Sequence, residues 1–482
     1  MILASFLLSL LPAAGGLASV GAPVASGGAA ATGTTDVADT DRKGRPGVAR
    51  AHEEIVEDFG SYVAPTASHT NPKVQLERIT TGVPWPRGLV LSNGQLVALA
   101  RGRHRNAGGI DPTIQDHCGA LFVIDPNISE PVIRGEQAGV EVRTNAQLLI
   151  QPDPSIFNLY DPSKGPPIEA NEIDRPYCTL AWDAASQNYF ICGYSGVDLP
   201  KKRFRKNATD CILRFDLRNR RWHTVERHDA SIVPDDDLTW VVPNRYYPHH
   251  DPETNPAPHG WLNGPDGATI TGRYLYALAK DNHSIVAYDL AEIRENPDAP
   301  APPSRPVLGI DLEISVRGEL RRMQGLGPSA VVADETHLYV GYRTSSTVLR
   351  FPLDEEGALV QPVRGELIAA FTPWRAEVGY SGNLIDLAFD HEGRLYAALA
   401  ERGRVWNIGV PNPEEPFNGI DEGDEVTTNE PYVDLPLLTG NPRARTGNIV
   451  FDDEGNLYLC SGNYENGTRI AGVVYRAVAA QE

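Results

Sequence analysis

Apolar and polar positions follow one repeating order along most of this chain. Six times between about residue 87 and residue 477 an apolar run is followed by a tight polar turn, a second apolar run and a strand rich in Val, Tyr and Phe. The clearest copies are LIDLAFDHEGRLYAALA (384–400) and GNIVFDDEGNLYLCSG (447–462). RGLVLSNGQLVALARG (87–102), CTLAWDAASQNYFICG (178–193), DGATITGRYLYALA (266–279) and SAVVADETHLYVGY (329–342) follow the same plan. Short apolar runs bounded by Gly, Asn and Asp read as strands joined in hairpins. A third strand follows each hairpin: ALFVIDP (120–126), CILRFDL (211–217), SIVAYDL (284–290), TVLRFPL (347–353), RVWNIGV (404–410) and AGVVYRA (471–477). WHTVER (222–227), VLGIDLEI (307–314), GELIAAF (365–371) and YVDLPLL (432–438) read as fourth strands, with that of the first unit somewhere in 132–151. The sixth unit has no sequence left for a fourth strand, but VQLERITTG (74–82) has the right character to supply it.

A repeat of this size buries its faces against its neighbours, and a closed ring removes the open sheet edges. The fold class expected is therefore all-β: a six-bladed β-propeller over 74–482, closed by an N-terminal strand that pairs with 471–477. Upstream, MILASFLLSLLPAAGGLA is an apolar core followed by small residues, so 1–25 reads as an export signal and 26–73 as a disordered linker. That places the protein outside the cytoplasm, periplasmic or secreted. Cys178 and Cys192 flank a turn almost symmetrically and are expected to bridge, the alternative being two buried free thiols; Cys118 with Cys211 is a weaker pair, and Cys460 reads as a small core residue.

The net charge of −20 argues against nucleic acid and against anionic membrane surfaces, and no later stretch reads as a membrane span. Gly-rich turns lie between strands and open no helix, and no G-x-S-x-G elbow or C-x-x-C-H occurs. The basic loop KKRFRK needs no function as a solvated charge run, although it could also meet an acidic glycan.

The turns DHEGRLY and DDEGNLY and the run PDGATITGRYLYALAKDNHSIVAYDL (265–290) resemble secreted six-bladed propellers of the NHL-repeat and SMP-30/gluconolactonase-like class. The resemblance is architectural and covers most of 75–480. That class holds metal-dependent lactonases and other hydrolases, lyases and pure binding modules.

Aligning the units on their turns brings Arg87, Thr179, Asp266, Ser329, Asp386 and Asn448 to the start of each innermost strand, at the mouth of the central channel. Two carboxylates and an amide oxygen are hard ligands suited to Ca²⁺ or Mg²⁺. The resemblance implies a divalent cation there, calcium before zinc, held by Asp266, Asp386 and Asn448, with Asn263 and Asn383 as further oxygen donors. Arg87 departs from it, standing where that class has a carboxylate. A polar ring is equally what any water-filled channel mouth shows.

The long loops are expected on the same face. They carry His104, Asp116 and His117; then Tyr246, Tyr247, His249, His250, His259 and Trp261; then Asp281 and His283. Imidazoles beside carboxylates can act as bases or bind Zn²⁺, though no spacing here matches a metal signature. The catalytic candidates are thus Asp266, His249 and His283, and the ligand-binding candidates Arg87, Thr179, Ser329, His104, His117, His250 and Tyr246. Two functions stay open: a metal-dependent hydrolase of the lactonase or esterase kind, with its site at the channel mouth, or a non-catalytic protein- or glycan-binding propeller of the cell envelope.

Overall fold

The computed structural model describes residues 74–479 apart from 101–119, 128–132, 151–176, 194–208, 230–261, 372–383, 419–430 and some shorter breaks. Six sheets, antiparallel apart from two short parallel pairings in blade 4, account for most of the described strands. In each, the first strand of the repeat is innermost: Pro86–Ser92, Tyr177–Asp183, Pro265–Thr271, Pro328–Ala333, Leu384–Phe389 and Thr446–Phe451 in blades 1 to 6. Every innermost strand touches those of the two neighbouring blades, and the first touches the last, so the ring is closed. Strand Val74–Thr80 runs antiparallel to Val473–Ala479, from Val74 opposite Ala479 to Thr80 opposite Val474. The N-terminal clasp therefore completes blade 6.

Burial explains why this periodicity makes a ring. Six apolar clusters fill the structure, one between each pair of adjacent blades. Second strands are buried on both faces, which is why they read as nearly continuous apolar runs. Hairpin chemistry agrees with local sequence: Asn93 and Gly94 both take positive φ in the two-residue turn of blade 1.

Three expectations need correction. VLGIDLEI is not one strand. Arg305–Leu308 is the outer strand of blade 3, the chain breaks at Gly309, and Asp311–Val316 joins a hairpin on blade 4. YVDLPLL is a strand only over Val433–Asp434. Asp434 caps a short helix, Leu435–Thr439, through Leu437 N–H at 3.1 Å, and a proline in its first turn needs no donor there. Cys192 is fully buried, and Cys178 does not face it across the hairpin as the symmetric turn suggests. The reason is a β-bulge: Tyr177 faces Gly193 and Thr179 faces Cys192, so Cys178 is the extra residue and does not stand opposite Cys192. Cys460 is free and fully buried, as a core position requires, and Cys118 lies outside the described residues. No helix among the described residues is long and apolar enough to cross a membrane.

Candidate functional site

All six blades carry a register break at the entry to the innermost strand. Thr179, Asp386 and Asn448 stand two residues before Ala181, Ala388 and Val450, which face the aromatic of the second strand in blades 2, 5 and 6. Arg87, Asp266 and Ser329 stand three residues before the corresponding Val90, Thr269 and Val332. The six therefore do not share one level. Alignment on the turns fails because the hairpin connections differ in length between blades.

The ring divides into two arcs. Blades 5, 6 and 1 are consecutive around the ring, and there Asp386, Asn448 and Arg87 come together. Asp386 accepts the backbone N–H of Ile449 at 2.8 Å, tying blade 5 to blade 6. Burial pushes its carboxyl up to about 7. The amides of Ile449 and Leu387, the Asn448 side chain and the Arg87 charge pull the other way without cancelling the shift. Asp386 as a whole keeps part of its surface exposed. Cys460 lies behind it, its thiol pushed up by burial and within the field of both Arg87 and Asp386.

Two atoms of this arc are unused. Asn448 Oδ1 is buried without a hydrogen-bond partner, on a residue 6% exposed. Arg87 Nε is buried and without a partner as well. One acceptor and one donor thus lie beside a carboxyl that titrates near neutrality.

On the opposite arc Asp266 is ion-paired with Lys280, from the end of the neighbouring strand. Sequence reading missed this partner: counting back from the turn at Gly272 sets Asp266 opposite Ala279, and the register break at the strand entry changes that pairing. Ser329 donates to Leu384 O at 2.5 Å and so joins blade 4 to blade 5. Thr179 is buried. His283 sits at positive φ and accepts the Gly327 N–H through Nδ1 at 3.0 Å, which fixes the lead into blade 4. His104, His117, Tyr246, His249, His250 and Asn263 lie outside the described residues.

A hard divalent cation is a poor match for these described residues. Calcium takes about six to eight oxygen ligands and favours several carboxylates. Here Asp386 and Asn448 offer one carboxylate and one amide oxygen in the field of Arg87, and Lys280 already neutralises Asp266. Among the described residues no group of three or more His, Cys, Asp or Glu is placed to hold a metal.

No protein-family model matches the chain, and no curated protein matches it. Solved structures similar to it include a calcium-binding protein, regucalcin, from Agrobacterium tumefaciens, 10% identical with a TM-score of 0.41, over 85% of this chain and 96% of that one. A putative gluconolactonase is 10% identical with a TM-score of 0.38, over 84% and 92% of the two chains. A luciferin-regenerating enzyme is 11% identical with a TM-score of 0.40, over 84% and 95%. Propellers of the gluconolactonase and regucalcin kind are thus among its structural neighbours. These likenesses are too distant to speak for chemistry, and the six-bladed architecture rests on the strand pairing itself.

Proposed function

We propose that the arc of Asp386, Asn448 and Arg87 binds a small organic acid, or a molecule with a polarised carbonyl oxygen, in an exported propeller. The observation that carries this reading is the pair of unused buried atoms, Asn448 Oδ1 and Arg87 Nε. A buried polar group without a partner costs about 1–3 kcal/mol, which a ligand supplying one acceptor and one donor recovers. Guanidinium suits a carboxylate in geometry as well as charge. The apolar leader within 1–25 supports an extracytoplasmic location, and the His- and Tyr-bearing loops are candidates for contacts with a larger glycan or protein.

Calorimetric titration with a panel of aldonates, uronates and short α-keto acids tests the site. At least one acid should bind the wild type, and Arg87→Met should weaken it at least ~10-fold, the loss of one charge-assisted hydrogen bond. If no acid on the panel binds the wild type, the reading is wrong.

A second reading, hydrolysis of a lactone or ester, is favoured by one observation: the Asp386 carboxyl near 7 suits a general acid or base at neutral pH. In that case Asp386→Asn lowers kcat by ~100-fold or more with KM little changed, since acid–base catalysis contributes about that factor.

A further inference from the structure

Arginine recurs at one position in the third strand of alternate blades: Arg214 in blade 2, Arg350 in blade 4 and Arg476 in blade 6. The register shows the equivalence, because the three face Phe190, Tyr339 and Tyr458 of the second strand. On the other side the fourth strand places Glu366 opposite Arg350 and Glu77 opposite Arg476. Both glutamates bond their arginine: Arg350 Nε donates to Glu366 Oε2 at 2.6 Å, and Arg476 Nε to Glu77 Oε2 at 2.8 Å.

Blade 2 breaks this rule. The residue opposite Arg214 is His223, which brings no carboxylate. Arg214 is also far more enclosed than its counterparts, at 2% exposure, because the loop at Pro297 and Asp298 of blade 3 covers it. Its Nη2 donates to Pro297 O at 2.9 Å, but Nη1 is buried without a partner. The Nε2 of His223 is buried without a partner too. Nearby carboxylates are committed elsewhere. Asp216 takes the amides of Arg218 and Asn219 and the Asn219 side chain, and Asp298 pairs with exposed Arg221. A buried guanidinium needs a counter-charge it can bond, or its desolvation goes uncompensated.

We infer that a small monovalent anion of about the size of chloride occupies the position that glutamate fills in blades 4 and 6, held by Arg214 Nη1 and His223 Nε2. The ion replaces a side chain that the repeat lacks in this one blade, and it locks blade 2 to the covering loop of blade 3. Burial and the charges of Arg214 and Arg221 hold His223 below its ordinary value, against the opposing pull of Asp216 and Asp298. The neutral ring then offers an Nε2–H to the anion.

The test compares thermal melting of the full chain in chloride with melting in methanesulfonate at equal ionic strength. Chloride should raise the wild-type midpoint by about 1–3 °C between 0 and ~200 mM, as expected for a ligand of the folded state alone. His223→Glu rebuilds the pair of blades 4 and 6, so it should melt as high without chloride as the wild type does with it, and lose the chloride response. Glu366→His makes the reverse change in blade 4 and should add to the chloride response. Crystals soaked in bromide should show an anomalous peak between Arg214 and His223. Equal wild-type melting in the two salts, or no bromide at that position, would overturn the proposal in favour of a buried water. If His223→Glu simply fails to fold, the wild-type salt comparison and the bromide peak still decide.

Discussion

The two ends of the innermost hairpins use aspartate in opposite ways. At the turn end, Asp390 closes the DHEGR connection of blade 5. Its Oδ1 accepts the amides of Glu392 and Arg394 at 3.0 and 2.9 Å, and its Oδ2 accepts Arg394 Nε and the Tyr396 hydroxyl. Asp452 in blade 6 takes the same turn amides and the Tyr458 hydroxyl, and Asp334 in blade 4 those of Thr336, His337 and Tyr339. Burial alone would raise Asp390 and Asp334, but this surplus of donors holds both below the usual carboxylate range. At the mouth end of the same blade 5 hairpin, Asp386 has fewer donors for its burial, and its carboxyl rises to about 7. A carboxylate whose partners are complete is a fastener, whereas one left short of partners can exchange a proton or meet a ligand.

The largest effect should come from removing a fastener. Asp390→Ala strands two turn amides, an arginine and a buried tyrosine hydroxyl at once. With one charged acceptor serving four donors, the loss should be about 3–4 kcal/mol in urea unfolding. A loss under ~1 kcal/mol would mean that water replaces the carboxylate easily, and the contrast between the two ends would fail.

Asp386→Asn should act in the other direction, and only at high pH. The folded carboxyl titrates above its unfolded value, so the stability linked to its proton is fully present below about pH 4 and is lost as pH rises through about 7. Linkage caps that loss at roughly 4 kcal/mol, and because Asp386 is only partly buried, solvent screening should reduce it to about 2. Asparagine keeps an acceptor for Ile449 N–H without the charge. The variant should therefore match the wild type near pH 4 and exceed it by about 2 kcal/mol at pH 8, read from denaturant midpoints at both pH values. Asp390 has the reverse sign, since its folded value is depressed and its contribution disappears as pH falls below the ordinary carboxylate range.

Much of this contrast was legible before any coordinates. The repeat, the blade count and the clasp follow from apolar periodicity, because every second strand is buried on both sides and every A–B turn is short. The Asp-to-Tyr spacing of DHEGRLY and DDEGNLY is likewise a local pattern. What periodicity could not supply was the register at the mouth. One extra residue in the innermost strand of blade 2 separated Cys178 from Cys192, and hairpin connections of unequal length put Arg87, Asp266 and Ser329 out of step with Thr179, Asp386 and Asn448. The partners of the ring residues were equally hidden, since Lys280 beside Asp266 and Leu384 O beside Ser329 depend on how strands meet, not on what they contain. His104, His117, His249 and His250 stay as sequence expectations, outside the described residues.

The smallest effect sharpens the contrast within the mouth itself. Ser329 resembles Asp386 in placement but behaves as a fastener: it is 1% exposed and its Oγ donates to Leu384 O at 2.5 Å across the blade 4–blade 5 boundary. Ser329→Ala deletes the donor and leaves a buried carbonyl one bond short, which costs about 1–2 kcal/mol. Because its hydroxyl is spent on backbone, acid binding at Arg87 should be unchanged within about 2-fold by calorimetry, well under the ~10-fold step of one lost charge-assisted bond. A similar stability loss accompanied by a clear loss of affinity would place Ser329 within the binding arc. The division of the mouth into a working arc on blades 5, 6 and 1 and a fastening arc on blades 3 and 4 would then have to be redrawn.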